Sequence, residues 1–296
     1  MIAEAADGRT ARRLPRYRLR RNLKEAAALA VGFLVLIWTL APLYNMVAVA
    51  LEKHGNVFTN DIWPKQPSLE SFWIVFTQGY WYLADFWHQF GNSLYVGVAT
   101  VVLTLLIGSL ASFSISRMRI RFGWLLSNAA LLTYVIPASF LAIPFYRIMQ
   151  HYGLSNNLWS VIAAEVTFAT PYAIFIFQQY GVSIPHELDE AARIDGASPF
   201  QIYWRIYLPL MAPALVAVGT YALLLAWNEY LYQYLLLSST RNMTVAVALA
   251  QFLNSDEAPW NYMMASAIVY AVPPVAIYYV FRRRMTAGLT MGGVKG

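Results

Sequence analysis

The chain has 296 residues, no cysteine and a formal net charge of +6. Hydrophobic residues make up 59% and charged residues 12%, against about 25% charged in an ordinary globular protein, so its apolar surface must meet lipid rather than water. The absence of cysteine excludes a disulfide framework, a thiolate metal site and a cysteine nucleophile, and the basic residues flank apolar runs instead of forming a nucleic-acid face.

Residues 1–25 form a basic tail carrying Arg9, Arg12, Arg13, Arg16, Arg18, Arg20, Arg21 and Lys24. Such a tail is attracted to anionic lipid headgroups. A helix needs about 20 mostly apolar residues to cross the hydrocarbon, because its backbone polar groups must be satisfied within the segment. Residues 26–285 offer six such stretches, and the fold class predicted is all-α, a polytopic membrane protein. The first is uncharged from Ala26 to Leu51. Ala48-Val49-Ala50 resembles a signal-peptide cleavage site, but this apolar run far exceeds an h-region of about 7–15 residues. The connection from Glu52 to about Gly91 is rich in aromatics, Trp63, Trp73, Trp81 and Trp87 among them, which suit the headgroup level or a protein contact.

The second stretch, about Asn92 to Ser116, carries Gly108, Ser109, Ala111, Ser112 and Ser114. Small residues let helices approach closely, so this marks a bundle-facing side. The third runs from about Trp124 to Ile148 and the fourth from about Leu158 to Gln178. Pro137, Pro144 and Pro171 predict kinks there, as do Pro273 and Pro274 later.

The next connection reads Pro185-His186-Glu187-Leu188-Asp189-Glu190-Ala191-Ala192-Arg193-Ile194-Asp195-Gly196-Ala197-Ser198-Pro199. It predicts a helix, a break and a second helix. Pro185 can open the first, and Glu187, Asp189 and Glu190 oppose the positive end of its dipole. Gly196 can adopt positive φ and end it. Ser198 then caps a second helix with Pro199 at its first position. Ala191 and Ala192 add little bulk, so another protein's groove can close over them, and Glu190 is placed to pair with a basic partner.

The fifth stretch, about Met211 to Leu237, contains Glu229, and the fourth contains Glu165. Carboxylates in lipid are costly and suggest a cavity, a pathway or a partner. Asn228, Glu229 and Tyr232 form a polar patch able to hydrogen-bond a solute; an interhelical bond is the other reading of Glu229. A membrane-embedded enzyme using Glu165 and Glu229 as an acid and base is a further alternative. A polar loop follows, about Ser238 to Asn261, then the sixth stretch, about Tyr262 to Phe281, and a tail over 286–296. His54, His88, His151 and His186 show no metal-ligand spacing. Among the connections, basic residues gather on one side, and only Lys53, Lys65, Arg147 and Arg241 fall on the other. That asymmetry predicts both termini in the cytoplasm.

Glu190-Ala191-Ala192, then Asp195-Gly196-Ala197, then Ile206 with Leu208-Pro209 and Pro213, resembles the integral-membrane permease subunits of ATP-binding-cassette importers, in particular the carbohydrate permeases of the maltose-transporter type. Asn92-Ser93-Leu94, Ala226-Trp227-Asn228-Glu229 and the glycine-rich ending extend the likeness. The chain departs from the family at Met291-Gly292-Gly293, where relatives carry Gly-Ala. The resemblance implies a type I importer architecture in which the helix over about 187–196 is a coupling helix docked on an ATPase subunit, with Glu190 pairing to an arginine and Gly196 permitting the turn. Glu187, Ala191, Ala192, Asp195, Ala197 and Pro209 belong to the same motif. It also implies a second homologous permease subunit, two ATPase subunits that carry the ATP and magnesium, an external solute-binding protein and a sugar substrate, within the inner membrane. The same machinery importing a polyamine, phosphate or another solute is the alternative. No Gly-x-x-x-x-Gly-Lys-Ser/Thr loop occurs, so this chain lacks that device for holding ATP.

Overall fold

A computed structural model describes residues 13–53, 61–118, 120–254 and 258–290, without the side chains of 13–20 and 283–290. The first twelve residues of the basic tail, His54, Arg119 and the ending from Met291 onward lie outside the described residues. Helix α1 spans Arg13–Ala50 and exposes an apolar surface along most of its length, Trp38 at 83%. The aromatic connection contains a short helix, α2 (Glu70–Thr77), and leads into α3 (Phe86–Arg117).

The packing of α3 inverts the rule for a helix in water. Its buried face carries Gln89, Ser93, Gly97, Thr100, Thr104, Gly108 and Ser112, spaced three or four apart, whereas Leu94, Val98, Val102, Leu106 and Leu110 point outward. Lipid accepts the leucines and valines without cost, so small and polar side chains take the helix contacts. The expected small-residue side is therefore the bundle side: Gly108, Ser109 and Ser112 are buried and Ala111 and Ser114 half-buried. A Cβ at Gly108 would sit 2.9 Å from the Ala173 Cβ on the neighbouring helix α6 (Leu158–Gly181), so glycine sets how close α3 and α6 come.

Four helical stretches among the described residues are long and apolar enough to cross a membrane, or up to six if each of two bent pairs is one span. The third span is broken where Pro137 predicts a kink, and the fifth departs from the continuous helix expected. The third consists of α4 (Gly123–Leu132) with one further tight turn to Val135, then α5 (Ala138–His151), and it bends by 101°. Ile136 is extended, as a residue before proline prefers, and Pro137 supplies no donor to continue the helix. Pro144, Pro171, Pro273 and Pro274 instead lie inside helices that continue past them.

After α6 comes α7 (Glu187–Ile194), then α8 (Pro199–Ile202), a widened π turn over Tyr203–Tyr207 and α9 (Leu208–Leu210). The proline at 209 cannot donate to the Arg205 carbonyl, and Leu208 N–H reaches back five residues to Tyr203 O. The chain bends by 78° where α10 (Ala212–Asn228) begins. Pro213 removes the donor that would have met the Pro209 carbonyl, which gives the bend a cause.

The fifth span was expected to run to Leu237, but α10 ends at Asn228 and a separate helix, α11 (Leu231–Leu236), follows. No proline breaks it. Glu229 is extended, and its carboxylate accepts from Tyr232 N–H at 2.9 Å and Gln233 N–H at 3.1 Å, capping α11. The Gln233 amide donates to Ala226 O at 2.9 Å and satisfies the end of α10. The expected polar loop beyond Ser238 contains another helix, α12 (Val245–Ala250), with buried Val245 and Val247. The last helix, α13 (Trp260–Thr290), packs against α1, α2 and α10.

Candidate functional site: a short exposed helix locked to the bundle

Helix α7 ends as the sequence leads one to expect. Gly196 has φ +82°, Gly196 N–H bonds Arg193 O at 3.1 Å and Ala197 N–H bonds Ala192 O at 2.8 Å, a left-handed cap with no Cβ penalty. Ser198 then caps α8: its hydroxyl accepts from Gln201 N–H, and Gln201 Oε1 accepts from Ser198 N–H at 2.7 Å. Two turns of helix are thus set off between abrupt stops.

The two faces of α7 differ. Glu187, Glu190, Ala191 and Ile194, which share one helix face, are exposed, with Ile194 at 86%. Ile194 therefore makes almost no contact within this chain. Asp189 faces the other way and is buried. Ala192 and Ala197 pack at the edge of a core around Phe113, Phe177, Ile202 and Tyr207. Asp195 is exposed on the turn, and Pro209 is exposed further along.

The buried side is organised by Arg117, the last residue of α3. Its side chain is 1% exposed and that of Asp189 7%, and Arg117 Nη1 lies 3.1 Å from Asp189 Oδ2. The same nitrogen donates to His186 Nδ1 at 3.0 Å. Nη2 donates to Ile184 O at 2.8 Å and Gly181 O at 3.1 Å. One guanidinium therefore joins the end of α3, the end of α6, the connector and the first turn of α7. Arg193 closes the other side, its Nη2 lying 3.5 Å from Arg117 O. Glu190 shares with Arg117, Met118, His186, Asp189 and Arg193 a polar cleft of about 130 Å³. Two tyrosines fasten the following segment to the same helix: Tyr203 hydroxyl to Ser109 at 2.8 Å and Tyr207 hydroxyl to Ser112 at 3.1 Å.

The roles of Arg117, Asp189 and His186 in this clamp were not read from the sequence. One signal was available: on a helix whose outer face is 187, 190, 191 and 194, an acid at 189 points inward and needs a cation there.

The polar residues within the membrane take different roles, although Glu229 and Tyr232 meet through the α11 cap. Asn228 is exposed and its amide donates to Leu224 O at 2.8 Å. Glu229 is half-buried and occupied as the cap of α11. Tyr232 is buried, and its hydroxyl donates to Ala138 O at 2.6 Å, so the broken fifth span is tied to the broken third. Glu165 is fully buried with neither oxygen hydrogen-bonded.

The family model described as "Binding-protein-dependent transport system inner membrane component" matches residues 104–290, from mid-α3 through α7 to α13. The chain belongs to this family. It is a transport component rather than an enzyme, and an inner-membrane protein. Among its relatives in this permease family, the inner membrane ABC transporter permease protein YcjP of Escherichia coli (strain K12) is 34% identical over 266 residues, 89% of this chain and 94% of that one. The arabinooligosaccharides transport system permease protein AraQ of Halalkalibacterium halodurans is 31% identical over 90% of this chain and 96% of its own length. The trehalose transport system permease protein SugB of Mycobacterium tuberculosis is 35% identical over 69% and 76% respectively. Among solved structures, a chain of a bacterial ABC transporter involved in alginate import superposes with a TM-score of 0.76 at 22% identity, covering 90% of this chain and 97% of that one. That likeness supports the type I importer permease architecture.

Proposed function

We propose that this permease forms half of the translocation pathway of an ATP-driven importer of a sugar or sugar derivative, and that α7 is where ATPase subunits grip it. The observation that carries the reading is the outward face of α7, with Glu187, Glu190, Ala191 and Ile194 exposed on a helix whose opposite side is locked to the bundle. Ala191 leaves room for a closing groove, Glu190 supplies a charge for an arginine in it, and Ile194 supplies the apolar contact. Ala192, Asp195, Gly196 and Ala197 shape and aim the helix, and Pro209 governs the segment that returns to the membrane. ATP and magnesium sit on the partner ATPase subunits, and this chain binds no cofactor.

A second homologous permease subunit completes the pathway, and an external solute-binding protein delivers the cargo. Relatives named for arabinooligosaccharide, trehalose and diacetylchitobiose transport support a sugar as that cargo. Asn228 and Glu229, at the break in the fifth span, line the pathway, with Tyr232 holding the break in place. Both termini lie in the cytoplasm, by the placement of the basic residues.

The test is to replace Glu190 and Gly196 in the assembled complex and measure uptake and coupled ATP hydrolysis. Both fall if the reading holds, and unchanged uptake rejects it. Calorimetric screening of the cognate solute-binding protein against sugars, polyamines and phosphate identifies the cargo class. A non-sugar ligand there would overturn the carbohydrate assignment while leaving the machine intact.

A further inference from the structure

Helix α7 is two turns long, too short to be stable on its own. Its connectors are turns on both sides, Ser183-Ile184-Pro185 before it and Gly196 after it. Its inner face brings only half-buried Ala192 to the apolar core, beside the ion-paired Asp189. A stub hinged at both ends would rotate under an applied force, and the displacement would be lost locally.

What prevents such rotation is the Arg117 guanidinium. It bonds acceptors on the end of α6, the connector and α7, while its own backbone belongs to α3. The planar fork fixes directions as well as distances, which a lysine ammonium does not. The pair is buried, so water does not loosen it. Among the described residues, the other polar tie from α3 to α7 is the longer contact from Arg193.

We propose that Arg117 is a positioning residue for energy coupling, the cross-link that makes α7 move as one body with α3 and α6. This rests on the reading of α7 as the docking element. Asp189 and His186 are its partners on the moving helix. Work done on the exposed face is carried by the guanidinium into two membrane spans, and from α6 into the tightly packed contact around Gly108 and Ala173.

The measurement is the number of ATP molecules hydrolysed per solute molecule carried, in the complete complex reconstituted into proteoliposomes, for Asp189→Asn and Arg117→Lys. The ratio does not depend on how much complex survives purification, so simple destabilisation leaves it unmoved. The ratio is expected to rise about tenfold for both variants, with ATPase subunits still co-purifying. Asp189→Glu, which keeps the charge, is expected to restore part of the coupling. An unchanged ratio overturns the proposal, and so does loss of the ATPase subunits from the Asp189→Asn complex, which would make the clamp a docking determinant instead. Co-purification of an Ile194→Asp variant tests the docking reading separately. If that variant keeps its ATPase subunits, the reading of α7 fails, whatever the ratio shows.

Discussion

The two ends of the bundle are fastened by different chemistry. At the α7 end, one buried guanidinium serves three elements through four contacts. At the opposite end the work is divided among neutral groups. Asn92 donates to Arg241 O and Met243 O, Gln89 donates to Thr240 O, and Ser93 accepts from Val245 N–H. Asn156 Oδ1, from the α5–α6 turn, accepts from Ser238 N–H and Ser239 N–H. Amides cost less to desolvate than charges and can be lost singly, whereas a buried ion pair fails as a unit. The contrast separates a stiff joint, the proposed entry point of force, from a distributed seam that holds a loop against two helices.

The largest effect expected from that contrast is at the joint. Asp189→Ala leaves a buried guanidinium unpaired and should cost about 3–5 kcal/mol, read as the unfolding midpoint of the purified complex. Gly108→Val, in the α3–α6 contact that serves both ends, forces a side chain toward Ala173 and should cost about 1–3 kcal/mol by overpacking. Asn156→Ala removes one member of the seam and strands neighbouring donors, for about 1–2 kcal/mol in the same assay. Were Asn156→Ala to cost more than Asp189→Ala, the distinction between joint and seam would be wrong. Ser198→Ala deletes the cap of α8 alone and should cost about 1 kcal/mol, sharpening the lower end of the scale.

How much of this was legible in the sequence follows the range of the interactions. Gly196, Ser198 and Pro199 act on their immediate neighbours, so the stop, turn and restart around α7 could be read directly. The apolar lengths of the spans were equally plain. The break at Glu229 was hidden because it replaces helix bonds by side-chain caps, and a hydropathy run continues straight across it. Helix α12 was hidden by the polar residues on either side of it. Arg117 was hidden for a third reason: its partners lie more than 60 residues away, and a basic residue at a span end already had a sufficient explanation in membrane sidedness. Long-range pairing of charges is invisible to a reading that counts them by side.

The claim on which the account turns is that the exposed face of α7 is covered by a motor subunit. The chain has no cysteine, so Ala191→Cys introduces a single thiol on that face. Its alkylation rate by a water-soluble reagent can be compared in the isolated permease and in the complete transporter. The account predicts rapid labelling of the isolated chain and strong protection in the complex. Equal rates in the two would contradict it.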